Sequence, residues 1–267
     1  MLHLAIIMND TPSMHKPLES DRGLSMLVEY GNSRILFDTG YDDRFIGNAD
    51  KMGYSINDLT SVILSHAHFD HVAGYAYLLE RNLAPRSLFI GPHFFEPKYI
   101  RNGPVFTNMN SSLSRDVILS EGIQIHEVSE TMKLSSGLTL VTCSAESPFK
   151  KKVPQKYVKY TGSRFVAEHY EDEIALVALT EQGLVLLTGR CHKGVCNVVS
   201  YIRKQSNRKI AAIIGGMDPT FSEGELSYLE ESGVRFIGIC NDEFDSDSLP
   251  KTNIRISKVA VGDEFFF

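Results

Sequence analysis

Residues 61–74 read SVILSHAHFDHVAG, and this segment restricts the fold more than any other part of the chain. Val62, Ile63 and Leu64 predict a short buried strand that ends at Ser65. His66 and His68 stand two residues apart, so in extended chain both imidazoles project to one side. Asp70 and His71 stand where HVAGYAYLLERN predicts a helix to begin, and there the chain turns back across the same spot. A single segment thus offers two ligands to one ion and two to a neighbouring one. Imidazole nitrogen and carboxylate oxygen suit zinc, iron or manganese, and a set short of ligands leaves a position open for chemistry. A lone histidine is more often an ordinary core or surface residue. Four such groups within six positions read as a metal site.

A strand that ends in ligands needs a sheet to hold it, and the rest of the chain supplies one. Short apolar runs recur as HLAIIM, LSMLVEYG, RILFDTG, TSVILSH and SLFIG, then as IQIHEV, LTLVTC, EIALVALT, GLVLLTG, IAAIIGG and RFIGIC. SMLVEYGNSRILF and IALVALTEQGLVLL predict hairpins turning at Gly31-Asn32 and Gln182-Gly183. Helices are expected in HVAGYAYLLERN, KGVCNVVSYIRKQ and SEGELSYLEESG, the last with Ser222 as N-cap and Gly233 as its stop. Hairpins and helices mixed through both halves point to an α+β fold with helices outside the sheets. Each half contains a hairpin, a strand ending in a histidine segment and a helix, which suggests one domain over 1–267 made of two similar halves, about 1–165 and 166–267.

Asn102 to Tyr170 is the least regular stretch. Within it SPFKKKVPQKYVKYTGSR carries Lys150, Lys151, Lys152, Lys156 and Lys159 among prolines and tyrosines. Like charges and prolines disfavour a packed helix, so a mobile surface loop is expected, either simply solvated or serving as a lid that attracts an anionic substrate.

Composition narrows the function. Apolar residues at 43% and charged residues at 22% are ordinary for a globular chain, and a net charge of -6 disfavours sequence-independent nucleic-acid binding. MLHLAIIMND reads as a first strand rather than a signal peptide, and no run reaches the length of a membrane span. With no export signal read, the four cysteines are expected to be free thiols in a cytoplasmic protein. Cys191 and Cys196 suggest a zinc knuckle, but no second pair completes it.

H-x-H-x-D-H after an apolar strand resembles the metallo-β-lactamase superfamily. The resemblance implies a four-layer αβ/βα sandwich with a pair of metal ions at one edge between the sheets. In FDTG, Asp38 matches an aspartate that buttresses the metal site in that family, and a carboxylate bonded to a ligand histidine fixes its tautomer. RGLSMLVEYGNSRILFDTG, SHAHFDHVAG, DEIALVALTEQGLVLLTGRCHKGVCNVV and AAIIGG are similar to the branch that includes dihydropterin-ribofuranosyl-aminobenzene-phosphate synthase. On that resemblance Gly189, His192, Gly194 and Asn197 carry the G-C-S-H-x-G-x-x-N segment, and His192 is implied as a ligand. The chain departs from the branch at Arg22 and at Asp218 in GGMDP, where the branch has histidines, and in the region of the branch's final H-C-T-G, where ICNDEF offers Cys240, Asn241 or Asp242 instead.

The expected activity is a binuclear metal-dependent hydrolase working on a small anionic, ester-type substrate, phosphorylated or not. His66, His68 and His192 are expected on one ion, and Asp70, His71 and Asp218 on the other. Two divalent ions are implied, zinc first and manganese or iron as alternatives, with Asp70 also taking the proton passed to the leaving group. The alternatives are a metal-binding or ligand-sensing protein with little turnover, and a pterin or phosphoribosyl-type transferase.

Overall fold

The computed structural model describes residues 1–143, 149, 151–241 and 244–267. Two seven-stranded sheets dominate it. The first runs in the order Glu264–Phe266, Leu2–Met8, Ser25–Tyr30, Ser33–Phe37, Ser61–Ile63, Ser87–Ile90 and Gln124–Glu127. Its first three pairings are antiparallel and its last three parallel. The second runs Met132–Lys133, Leu138–Thr142, Ile174–Thr180, Gly183–Thr188, Ile210–Gly216, Phe236–Cys240 and Arg255–Lys258, with the same three antiparallel and three parallel pairings. The chain changes sheet between Glu127 and Met132, and its last strand returns to the first sheet.

Strand alternation builds the layers. Leu2, Leu4 and Ile6 face Ile174, Leu176, Val185 and Leu187 in an apolar core between the sheets. The intervening residues Ala5 and Ile7 point outward, where Phe45 and Ala49 of helix Arg44–Lys51 and Tyr75 and Leu78 of helix Tyr75–Glu80 cover them. Across the molecule Ala175, Val177, Leu184 and Leu186 pack against the helices Val195–Gln205 and Glu223–Glu231. Helix, sheet, sheet, helix is the four-layer sandwich expected. Helix Val195–Gln205 buries Val195, Val198, Val199 and Ile202, the spacing of one apolar stripe. Helix Glu223–Glu231 opens on a capping box in which Ser222 and Glu225 exchange hydrogen bonds.

The expectation of an irregular region over 102–170 needs correction. Tyr157–Tyr160 is one of the two inner strands of a third, four-stranded antiparallel sheet, ordered Phe165–Ala167, Tyr157–Tyr160, Lys98–Asn102 and Val105–Asn108. Pro154 precedes this strand rather than interrupting it, and Lys159 is neutralised by Glu96 and Glu171, each at 2.9 Å. Helices Arg44–Lys51 and Arg115–Ser120 are further elements not anticipated. Lys150 lies outside the described residues. Among those described, all four cysteines are free and buried, and no helix is long and apolar enough to cross a membrane.

The parallel strands of both sheets end at one edge. There the backbone N–H of Ile174 donates to the carbonyl of Ser65 at 2.8 Å, tying the second sheet to the histidine segment of the first.

Candidate metal centre

His66, His68 and His192 come together at that edge, and one donor atom from each lies within 4.8 Å of the other two. Their ring centroids are 4.6, 4.9 and 5.1 Å apart. The Nε2 atoms of His66 and His192 are buried and have no hydrogen-bond partner in the protein. Leaving a buried polar nitrogen unpaired costs about 1–3 kcal/mol, so a converging pair of them is the mark of a site completed by a ligand. Three imidazoles with a free position fit a divalent transition ion. Burial, reinforced by the neighbouring rings, holds the pKa of His66 and His192 well below the ordinary histidine value. Burial likewise pushes His68 down to about 3, against the pull of Asp70. At neutral pH the three rings therefore keep their lone pairs.

Asp38 organises the first-sheet side. It follows strand Ser33–Phe37 at φ 58°, a left-handed conformation that aspartate tolerates better than most residues. Its Oδ1 accepts the backbone N–H of Ser65 at 2.7 Å. Its Oδ2 accepts the Ser65 hydroxyl at 2.7 Å and stands 2.7 Å from His71 Nδ1. Ser65 Oγ, having given its proton to Asp38, accepts from His66 Nδ1 at 2.9 Å. That relay puts the His66 proton on Nδ1 and leaves Nε2 bare toward the cluster. His71 is held the same way through its own Nδ1. Burial opposes charge on His71, but the Asp38 carboxylate outweighs it and the pKa is raised.

His192 is delivered by the second sheet across a close approach at Gly189. A Cβ there would lie 1.9 Å from Ser65 Oγ and 2.9 Å from Asp38 Oδ2, so only glycine fits. Glu173 Oε1 accepts the His192 backbone N–H at 2.8 Å, and the Tyr170 ring stacks on the imidazole at 3.7 Å and 7°. Burial pushes the Glu173 carboxyl up to about 7, against Lys193. Asp172 accepts the Ala67 N–H at 2.8 Å and pairs with buried Lys98 at 3.2 Å. Tyr170, Asp172, Glu173 and Lys98 were not foreseen from the sequence. The available signal was EHYEDEI, acidic residues directly ahead of a strongly apolar strand.

Of the other expected residues, His71 has its ring centroid 4.4 Å from that of His66, and the rest stand around the cluster. A cavity of about 580 Å³ opens over the histidines, with Asp70, His71, Asp218 and Asn241 in its wall. Arg22, which stands where the related branch has histidine, and Arg190 also line it, and Phe69, Ile100, Met109 and Tyr157 supply apolar surface. Asp70 is half-buried on helix Phe69–Val72. Asp218 is exposed, with Oδ2 3.1 Å from Lys151 Nζ and Oδ1 accepting the Thr220 N–H at 3.0 Å. Asn241 Nδ2 stands 3.4 Å from His71 Nε2, and its Oδ1 accepts the Gly23 N–H at 3.1 Å. Cys240 is a buried thiol, and Asp242 lies outside the described residues. Among those described, only the three histidines bring three such donors within 4.8 Å.

Residues 20–103 match the family model of the metallo-beta-lactamase superfamily. The chain is 29% identical over 248 residues to the 7,8-dihydropterin-6-methyl-4-(beta-D-ribofuranosyl)-aminobenzene-5'-phosphate synthase of Methanocaldococcus jannaschii, covering 85% of this chain and 83% of that protein. An uncharacterized protein of the same organism is 26% identical over 202 residues, 76% of this chain and 74% of its own. The solved structure of Tm1679, a metal-dependent hydrolase of the beta-lactamase superfamily, superposes with a TM-score of 0.80 at 23% identity over 100% of this chain and 99% of that one. The metallo-beta-lactamase fold protein YhfI of Bacillus subtilis gives a TM-score of 0.56 at 13% identity, covering both chains in full at 100%.

Proposed function

We propose that the chain is a hydrolase of the metallo-β-lactamase superfamily, whose model residues 20–103 match, and that its working ion is held by His66, His68 and His192. The observation that carries this reading is the convergence of three donors, two of them buried nitrogens that nothing in the protein satisfies. Zinc is the first choice of ion, because three neutral imidazoles with an open fourth position are its usual catalytic set. When bound, such an ion supplies Lewis acidity and a nucleophile at neutral pH.

The protein's own groups do the rest. Asp38 and Ser65 fix the tautomer of His66, and Glu173 and Tyr170 fix the His192 loop. Asp70, half-buried in the cavity wall, is the carboxylate placed to take up a proton and return it to a leaving group. Arg22 and Arg190 give the cavity two cations suited to a carboxylate or phosphate. Ile100, Met109 and Tyr157 face them with apolar surface. The substrate class that matches is a small anionic ester with an apolar or aromatic portion.

The test is to purify the protein with zinc, measure metal content, and assay a panel of aryl phosphodiesters, carboxylic esters and lactones beside His192→Ala. The expected result is bound zinc and hydrolysis of an anionic ester, both lost in the variant. Tight zinc without turnover of any substrate would instead support a metal-binding or sensing protein. Full activity in His192→Ala would sink the ligand set.

The likeness to the M. jannaschii synthase favours a second reading, in which the same cavity makes a bond between a pterin-like and a phosphorylated ribosyl substrate. Formation of that enzyme's named product by this chain, with no ester hydrolysis, would decide for it.

A further inference from the structure

A second cavity, of about 540 Å³, lies beside the metal centre and is lined by Lys151, Lys152, Glu168, Glu171 and Lys193 among others. Among the described residues it shares no part of its wall with the cavity over the histidines. His192 walls one cavity and Lys193 the other, so consecutive residues of one loop serve two separate spaces. Its volume falls within the range of small-molecule sites, about 300–1,000 Å³.

Lys193 is the unusual member of that wall. The residue is only 4% exposed, yet among the described residues its ammonium has no hydrogen bond and no ion pair. Lysine is almost never buried unless it is paired, because an unpaired charge loses its hydration without compensation. Glu173 is close enough to feel the charge, but its Oε1 accepts the His192 N–H at 2.8 Å and its Oε2 is left without a hydrogen-bond partner. The two are therefore not bonded to each other. The backbone at Lys193 is also held in place. Its carbonyl accepts the Lys151 N–H at 2.9 Å, and Gly194 turns at φ 90° beneath the Lys151 stem, where a Cβ would come within 3.1 Å of Lys151 Cγ. A buried, unpaired ammonium on a fixed backbone at a cavity wall is an anion-binding group held ready.

The other charges of the wall leave that role to it. Lys151 spends its ammonium on Asp218 at 3.1 Å and on the Thr220 carbonyl at 2.9 Å. Glu171 is neutralised by Lys159 at 2.9 Å. Glu168 turns Oε1 to the backbone N–H groups of His169 and Tyr170 at 2.8 and 2.6 Å, and burial raises its pKa, which weakens its repulsion of an anion. Lys152 is exposed on the same wall and adds a positive charge that reaches solvent. We infer that this cavity is a second binding site, separate from the metal centre, for a small molecule that carries a phosphate or carboxylate, with the Lys193 ammonium as its buried anchor and Lys152 beside it. The site does not depend on the three-histidine reading given above.

Calorimetry on the full chain, kept metal-free with a chelator, tests it with inorganic phosphate and with succinate as separate probes. Whichever binds more tightly identifies the anionic group preferred. The wild-type chain is expected to bind one equivalent, and Arg22→Gln, altered in the cavity over the histidines, to bind it equally well. Lys193→Gln is expected to bind at least about tenfold more weakly, the loss of a charge-assisted hydrogen bond. Lys152→Ser, which removes an exposed charge only, is expected to cost about two- to fivefold. Neither probe binding in the millimolar range overturns the inference. So does binding that Lys193→Gln leaves intact, or binding that Arg22→Gln weakens as much, since the anion would then sit over the histidines. Should Lys193→Gln fail to fold, acetylation of the wild-type chain read by mass spectrometry decides: phosphate or succinate must slow modification of Lys193, and an unchanged rate overturns the site. Every one of these outcomes leaves the hydrolase reading as it stands.

Discussion

At the ends of strands Ser33–Phe37 and Ser61–Ile63, Asp38, Ser65, His66 and His71 are buried and hydrogen-bonded to one another. At the ends of Gly183–Thr188, Ile210–Gly216 and Phe236–Cys240, His192 and Asn241 are half-buried and Asp218 is exposed. One sheet therefore contributes a rigid platform whose donors are already oriented, and the other contributes His192 and groups that face the cavity. Rigid donors set ion affinity, because little entropy is lost when the ion binds. Exposed groups around an open cavity set what is bound next to it. The asymmetry separates metal retention from substrate choice.

The largest effect should come from removing a ligand on the rigid side. His66→Ala is expected to lower zinc affinity by more than about 100-fold, beyond the range typical of outer partners, and to abolish turnover. Asp38→Ala is expected to follow at about 10- to 100-fold weaker zinc binding, because it frees His71 and the Ser65–His66 relay together. Competition with a chromophoric chelator measures both. Equal affinities for the Asp38→Ala and wild-type proteins would show that the first-sheet network is structural only, and the contrast between the two sides would collapse.

The same contrast explains what was legible in the sequence. His66, His68, Asp70 and His71 fall within six positions, so strand and helix periodicity sufficed to expect them near one another. Sheets with helices outside them were legible from the apolar runs, while the four-layer sandwich came only from the family resemblance. His192 and Asp218 are far along the chain, and only a family resemblance tied them to the first cluster. It could not foresee that Asp218 meets Lys151, because that contact depends on how two loops settle. Glu173 and Asp172 drew no reading from the sequence and are buried next to Ile174, whose N–H donates to the Ser65 carbonyl. Tyr157–Tyr160 was read as loop for a related reason. Its partner Lys98–Asn102 is remote in sequence, and lysines within a strand look solvated until Glu96 and Glu171 are seen beside them.

A smaller effect should appear in the pH dependence of the metal-free protein. His66, His68 and His192 have folded pKa values below the ordinary value of 6.5, so below that pH the unfolded chain binds more protons than the folded one. Stability then falls as pH drops from 6.5 toward about 3, the value for His68, and these rings add nothing above 6.5. His68 alone should contribute a slope of about 1.4 kcal/mol per pH unit well inside that window. His71 has the opposite sign: its raised pKa contributes stability at pH below 6.5 that is lost as pH rises through the folded value. Urea melts of chelated protein between pH 7.5 and 5 measure the balance, and His68→Asn should flatten the slope. A slope unchanged in His68→Asn would mean that the ring is not buried as a neutral group.

The smallest effect belongs to Asp218. As an exposed carboxylate paired with Lys151, it contributes an ion pair of the class that rarely exceeds about 1 kcal/mol. Asp218→Asn keeps the side-chain shape and its acceptor for Thr220, so the loop after Ile210–Gly216 should hold its course. Zinc affinity at the three histidines should stay within about twofold of wild type, since no direct bond to the cluster is lost. The lysine, released from its carboxylate, should bind anions more strongly, lowering KM for a negatively charged ester and leaving a neutral ester unaffected. The pair of measurements separates the two sides directly: zinc affinity reads the platform, and the charged-to-neutral KM ratio reads the cavity wall. A fall in zinc affinity as large as that of Asp38→Ala would place Asp218 on the ion after all, and the two sheets would then share the metal equally.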